Sequence, residues 1–187
     1  ETGWKSVDDL VNYAKEHPGE IKWGITGTGI TMADSIRSME GLDIEATIVP
    51  YEGGAATRTA LLGNHIQIEV ATSSDIRSYV ESGDVIPLFV IAPNRCPFLP
   101  DVPTLLDLGV NVDSGAPRAY FAPPGLGEEQ LEYIDNKFKE VCENEAFVRD
   151  CEDLGFVVQY VGSTEGTELM QKWYDANLPV FEEYGLK

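Results

Sequence analysis

Trp23-Gly-Ile-Thr-Gly-Thr-Gly-Ile-Thr31 decides the fold. An apolar run, Ile21-Lys22-Trp23, leads into glycines at 24, 27 and 29, and Met32, Ile36 and Met39 follow at helical spacing. Thr31 is placed to cap that helix, with Asp34 in the position of a capping box. The stretch therefore reads strand, Gly-rich turn, helix. Glycines let backbone N–H groups approach a ligand with no Cβ in the way. A helix start adds unpaired N–H donors and a partial positive charge. Together they make a site for a carboxylate or phosphate, although the same pattern also serves as a plain tight turn in an α/β protein. Two sharper readings fail. A dinucleotide fingerprint needs a third glycine where Met32 stands, and a P-loop needs a Gly-Lys-Ser/Thr that is absent.

The surrounding chain repeats the pattern. Thr47-Ile48-Val49 reads as a strand, Pro50 to Gly54 as a turn and Ala55 to Leu62 as a helix, with Gly53-Gly54 a second backbone nest. Tyr51 suits either a pocket wall or the core. Ile66-Gln-Ile-Glu-Val70 alternates as a half-buried strand, which turns Glu69 outward, and Thr72-Ser73-Ser74-Asp75 opens another helix that ends at Gly83. Upstream, Ser6 and Asp9 box the start of a helix with an apolar face at Val7, Leu10, Val11 and Ala14, and His17-Pro18-Gly19 stops it. Downstream, Val85 to Ile91 reads as a strand and 92–103 as a Pro-rich loop. Thr104 and Asp107 box a short helix. Strands are expected at 119–122 and 157–161, and helices at about 128–144, at about 145–154 and after Ser163. Pro179 should bend or end the last one. Recurring strand–cap–helix units mean an open α/β sheet, with ligands beyond the C-terminal ends of its strands.

Composition narrows the function. The 187 residues include three Trp, eight Tyr and seven Phe, enough for a globular core. No apolar run reaches the ~18 residues of a spanning helix. Glu1-Thr2-Gly3 reads as an appended leader, so the natural chain is expected to begin upstream. Thirteen Lys plus Arg against 32 Asp plus Glu give a net charge of −19, which opposes nucleic acid and anionic membranes as partners. A small anion remains compatible, because surface charge is screened over about 8 Å at physiological salt. Cys96, Cys142 and Cys151 form no CxxC and, with His17 and His65, no zinc spacing; no metal or cofactor is expected. They read as buried thiols, with a Cys142–Cys151 bridge the alternative in an oxidising compartment. No Gly-x-Ser-x-Gly elbow or visible catalytic partner for either His supports an enzyme.

Six segments occur in one order: Asp9-Leu-Val-Asn-Tyr-Ala-Lys-Glu-His-Pro-Gly19, the Gly-x-Gly loop at 27–29, Val49-Pro-Tyr-Glu-Gly-Gly-Ala-Ala56, Leu61-Leu-Gly63, Pro100-Asp-Val-Pro-Thr104 and Phe121-Ala-Pro-Pro-Gly125. The series resembles the extracytoplasmic solute receptors of tripartite tricarboxylate transporters, the Bug family. The resemblance implies a type II periplasmic-binding-protein-like α/β fold, periplasmic or otherwise extracytoplasmic, holding a small mono- or dicarboxylate for membrane transporter subunits. It implies that residues 4–116 are a complete open ligand-binding lobe, the inserted second lobe of the family. Residues 117–187 would be the C-terminal part of the first lobe, whose N-terminal part is absent. The family's ligand loops carry over onto Thr26, Gly27, Thr28, Gly29 and Thr31, onto Tyr51, Gly53, Gly54, Ala55 and Thr57, and onto Thr72 and Ser73. Departures are Glu52 where Lys is common, Ala71 where an Asp often ends the third strand, and Pro117-Arg118 where aromatic residues are frequent. Arg118 is either a surface charge or a clamp for a distal carboxylate. The alternatives are a ligand-sensing module that signals to a membrane kinase, or an α/β enzyme acting on a small anion. A first lobe lacking strands would leave apolar helix faces to cover, so the chain is expected either to pack 119–187 back on its own first lobe or, the favoured reading, to self-associate.

Overall fold

The computed structural model describes residues 2–27, 29–112 and 118–185. Its elements run α1 (Val7–Glu16), β1 (Ile21–Thr26), α2 (Ile30–Gly41), β2 (Ala46–Tyr51), α3 (Gly54–Leu62), β3 (Ile68–Glu69), α4 (Ser73–Ser82), α5 (Glu128–Cys142), α6 (Glu145–Asp153) and α7 (Ser163–Glu183). The chain divides into two compact units, Glu1–Gly115 with Asn177–Lys187, and Ala116–Ala176.

In the first unit, α1 begins as its sequence dictates. Ser6 Oγ accepts from Asp9 N at 3.2 Å, and Asp9 Oδ2 accepts from Ser6 N at 3.0 Å and Lys5 N at 2.9 Å. The Lys5 amide, then the Ser6 hydroxyl, hold the Asp9 carboxyl below the usual carboxylate range. A depressed carboxylate stabilises the fold above its unfolded pKa and loses that contribution as pH falls through the folded value. Asp9→Asn should therefore remove part of the acid-side loss of stability between those two values. Melting midpoints measured across pH 2 to 6 check this, and an unchanged profile would reject it.

The sheet has the order β2-β1-β3, all parallel. β1 pairs with β2 from Ile21↔Ala46 to Thr26↔Tyr51, and with β3 at Trp23↔Ile68 and Gly24↔Glu69. Both faces of β1 are covered. Ile21, Trp23 and Ile25 are buried with Leu10 and Ala14 of α1 and Ala33, Ile36 and Met39 of α2. On the opposite face a Cβ at Gly24 would lie 2.2 Å from Ile66 Cδ1 and 3.0 Å from Thr57 Cγ2, so α3 settles there because residue 24 has no side chain. Pro50 lies inside β2, not in the turn after it; an edge strand tolerates the missing N–H. A satellite cluster of Leu105, Val110 and Val112 packs with Leu42, Phe89 and Ile91.

Several local expectations are overturned. Gly29, not Thr31, is the N-cap of α2, and the Thr31 hydroxyl donates instead to Thr26 O at 2.9 Å. Val85–Ile91 forms no strand. Pro87 cannot donate, and the segment joins 104 through one parallel bridge at Val90. Thr104 and Asp107 do exchange both box bonds, at 3.0 Å each, but they close a turn and not a helix. The expected strands at 119–122 and 157–161 are irregular, since strand propensity is expressed only beside a partner edge. Pro179 neither ends nor interrupts α7, which continues to Glu183 with Asn177 and Val180 buried, so packing outweighs one lost backbone bond.

The second unit is helical. Asn144 Oδ1 caps α6 by accepting from Ala146 N and Phe147 N, both at 3.1 Å. Asp135 of α5 accepts from Ser163 N and, at 2.6 Å, from Ser163 Oγ, tying α5 to the start of α7. Neither α5 nor α6 has a buried residue. The three cysteines are free, with Cys96 buried and Cys142 and Cys151 half-buried, so the alternative of a Cys142–Cys151 bridge is not realised.

Candidate functional site

Because the three strands are parallel, the chain leaves each of them at the same sheet edge and enters a helix there. β1 runs through Gly27 and Gly29 into α2, β2 through Gly53 into α3, and β3 through Thr72 into α4. Two of these turns need glycine. Gly27 has φ +74 and Gly53 has φ +104, a region that L side chains rarely adopt. The first two loops are bound together: Gly27 N donates to Tyr51 O at 3.2 Å, and the Thr26 and Thr57 hydroxyls lie 3.2 Å apart. Val70 N donates to Gly24 O at 3.3 Å, which carries the third loop to the same edge.

Most side-chain hydroxyls at this edge are already engaged. Thr31 donates to Thr26 O, Thr57 Oγ1 reaches Gly53 O at 3.2 Å, and Thr72 Oγ1 donates to Asp75 Oδ2 at 2.7 Å. The donors left for a ligand are backbone amides. Within α2, α3 and α4 the first turn closes with Met32 N on Gly29 O, Ala56 N on Gly53 O and Asp75 N on Thr72 O. The N–H groups ahead of these, at Ile30 and Thr31, Gly54 and Ala55, and Ser74, are helix-start donors that have no carbonyl within their helix. Three helix dipoles add partial positive charge at one place. No Lys or Arg occurs in residues 26–31, 50–57 or 70–75. An anion placed here would meet dipoles and hydrogen-bond donors and no counter-charge from these loops.

The structure thus gathers Thr26, Gly27, Gly29, Thr31, Tyr51, Gly53, Gly54, Ala55, Thr57, Thr72 and Ser73 in one unit, at or near one edge of its sheet. Thr28 and Pro117 lie outside the described residues. Arg118 belongs to the other unit, where its guanidinium sits 5.8 Å over the Phe156 ring. Sequence reasoning missed the charged pair beside these loops. Glu69 does not face outward: its side chain is 2 % exposed and takes a bidentate grip from Arg58, Nε to Oε2 at 2.6 Å and Nη2 to Oε1 at 2.9 Å. Those hydrogen bonds, opposed by burial, hold the Arg58 guanidinium above its ordinary pKa. The available signal was an arginine between Thr57 and Thr59 on a short Ala-rich helix, eleven residues before an acid on an apolar strand. Among the described residues no cluster of His, Cys, Asp and Glu is placed to hold a metal ion.

Known proteins are similar to this chain. The family described as "Tripartite tricarboxylate transporter family receptor" (TctC) matches residues 1–186. A UPF0065 protein from the gbd 5′ region of Cupriavidus necator is 24 % identical over 185 residues, which is 97 % of this chain and 56 % of the relative. A TctC solute binding protein from Polaromonas superposes with a TM-score of 0.81 at 17 % identity, over 98 % of this chain and 63 % of that one. The R. palustris protein Rpa4515, solved with adipate, superposes with a TM-score of 0.76 at 20 % identity, over 97 % of this chain and 60 % of that one. The chain therefore spans little more than half the length of such relatives, and it has the α/β fold of their periplasmic binding proteins. This chain belongs to the tripartite tricarboxylate transporter receptor family, TctC.

Proposed function

We propose that this chain is part of an extracytoplasmic receptor that captures a small organic carboxylate for a tripartite tricarboxylate-type membrane transporter. The observation that carries the reading is the convergence of three helix starts, α2, α3 and α4, on one edge of a parallel sheet. Residues 4–116 are proposed as the ligand-binding lobe and 117–187 as a return segment of the other lobe, the last stretch of which, Asn177–Lys187, groups with the first unit. Charge-assisted hydrogen bonds are worth about 1.5–3 kcal/mol each, and a helix start about 0.3–1 kcal/mol. Several amides acting together supply the roughly −8 kcal/mol of micromolar binding.

Adipate, found in one structural neighbour, and hexanoate, of equal length with one carboxylate, are the probes. Calorimetric titration of both into the chain tests the reading; heat from neither would sink it.

Self-association of this chain is the second part of the proposal. Tyr120 and Phe121 are each 79 % exposed, and Leu131, Phe138, Val141 and Phe147 are exposed along α5 and α6. Covering a large apolar side chain is worth about 1.5–3 kcal/mol, so a second copy is the expected cover. Sedimentation at micromolar concentration should show a dimer. A monomer whose α5 and α6 amides resist hydrogen exchange would show the expectation wrong.

A further inference from the structure

Arg58 touches three elements at once. It lies one turn into α3, its side chain 8 % exposed, and its fork closes on Glu69 of β3. Its remaining terminal nitrogen, Nη1, donates to the backbone carbonyl of Asp75 in the first turn of α4, and its guanidinium carbon lies 5.2 Å over the Tyr79 ring one turn further on. Each element touched borders a loop of the candidate site. Arg58 follows Gly54 by four residues, Glu69 precedes Val70 by one, and Asp75 follows Ser73 by two.

Stability alone is a poor account of such a pair. Taking two charges out of water is costly, and well-packed apolar residues in their place are often neutral or better. What a guanidinium fork offers instead is direction: planar, bidentate bonds fix the angle and distance between the groups they join. Binding sites made of backbone amides need that, because the donors cannot rotate independently of their helices and must be held to within roughly 0.5 Å.

We propose that the Arg58–Glu69 pair is a positioning device that sets the first-turn amides of α3 against those of α4, so that both address one bound carboxylate. The proposal rests on the reading of these helix starts as the ligand site. Arg58 itself does not contact the ligand, because its bonds to Glu69 and Asp75 occupy it; it acts through the helices it joins.

The test uses the whole chain and two variants, Arg58→Met with Glu69→Leu, and Arg58→Lys. The double change removes both charges and so leaves neither buried alone. Arg58→Lys keeps the charge but loses the fork. Three quantities are read: the melting midpoint, adipate affinity by calorimetry, and hydrogen exchange at Ala56, Thr57 and Asp75, whose amides close the first turns of α3 and α4. The double variant should melt at or above the parent, bind adipate at least tenfold more weakly, and exchange those three amides at least tenfold faster. Amides of β1 should be unchanged. Arg58→Lys should show the same losses and carries the test if the double variant does not fold. A variant with parental melting, affinity and exchange overturns the proposal. If the parent itself binds no adipate, the functional reading fails, and the exchange rates still decide whether the pair positions the two helix starts.

Discussion

Gly54→Val and Gly29→Val are each expected to abolish adipate binding while the first unit stays folded. Space permits the new side chain at both positions. A Cβ at either position would meet nothing within 4 Å. Gly29 has φ −89, and Gly54 is the first residue of α3, so neither sits in the left-handed region. That open space lies directly over the helix-start amides, where a ligand carboxylate must come close. Valine methyl groups would hold it away from two or more N–H donors. Two charge-assisted bonds of about 1.5–3 kcal/mol each correspond to at least a hundredfold in affinity. Calorimetry with adipate and a thermal melt of each variant check the prediction together. Parental affinity in both variants would mean that the amides at 29–31 and 54–55 are not the site. Gly53 would be a poorer test. Its φ of +104 strains any other residue, so a loss there would report backbone strain as much as lost contact.

Trp23→Ala should destabilise the first unit by about 3–5 kcal/mol, the cost of emptying a large aromatic site in a core. Trp23 is fully buried at the middle of β1, in register with Ile48 on one side and Ile68 on the other, and its ring lies 6.1 Å from that of Phe89. It belongs to the cluster that joins α1, α2 and the end of α7. Domains are stable by about 5–15 kcal/mol, so this one change removes a large part of the total. Urea unfolding followed by far-ultraviolet circular dichroism measures it. A loss below about 1 kcal/mol, within the range of an ordinary surface change, would show that β1 does not hold the centre of the unit.

The features legible in the sequence are the local ones. The Ser6–Asp9 box spans three residues, and its four bonding atoms are close whatever the rest of the chain does. The glycine turns at 27 and 53 follow the same logic, since a positive φ is a property of one residue and its side chain. Three strand–turn–helix units in succession also implied an open α/β sheet with ligands beyond the C-terminal ends of its strands. What needed the tertiary structure was everything that depends on a distant partner. The apolar run from Val85 to Ile91 has strand composition, but it finds one bridge and not a ladder. Ala119–Ala122 likewise has the residues of a strand without a neighbour to bond. Pro179 breaks helices in isolation, yet α7 passes through it because Asn177 and Val180 are buried on either side. Glu69 is the sharpest case. Alternation turned it to solvent, whereas the docking of α3 over Gly24 brings Arg58 to it and makes the outward face an interior one. Caps and turns are settled within a few residues by short-range sterics and hydrogen bonds. Which face of a strand is buried, and which charges meet there, is settled by what packs against it.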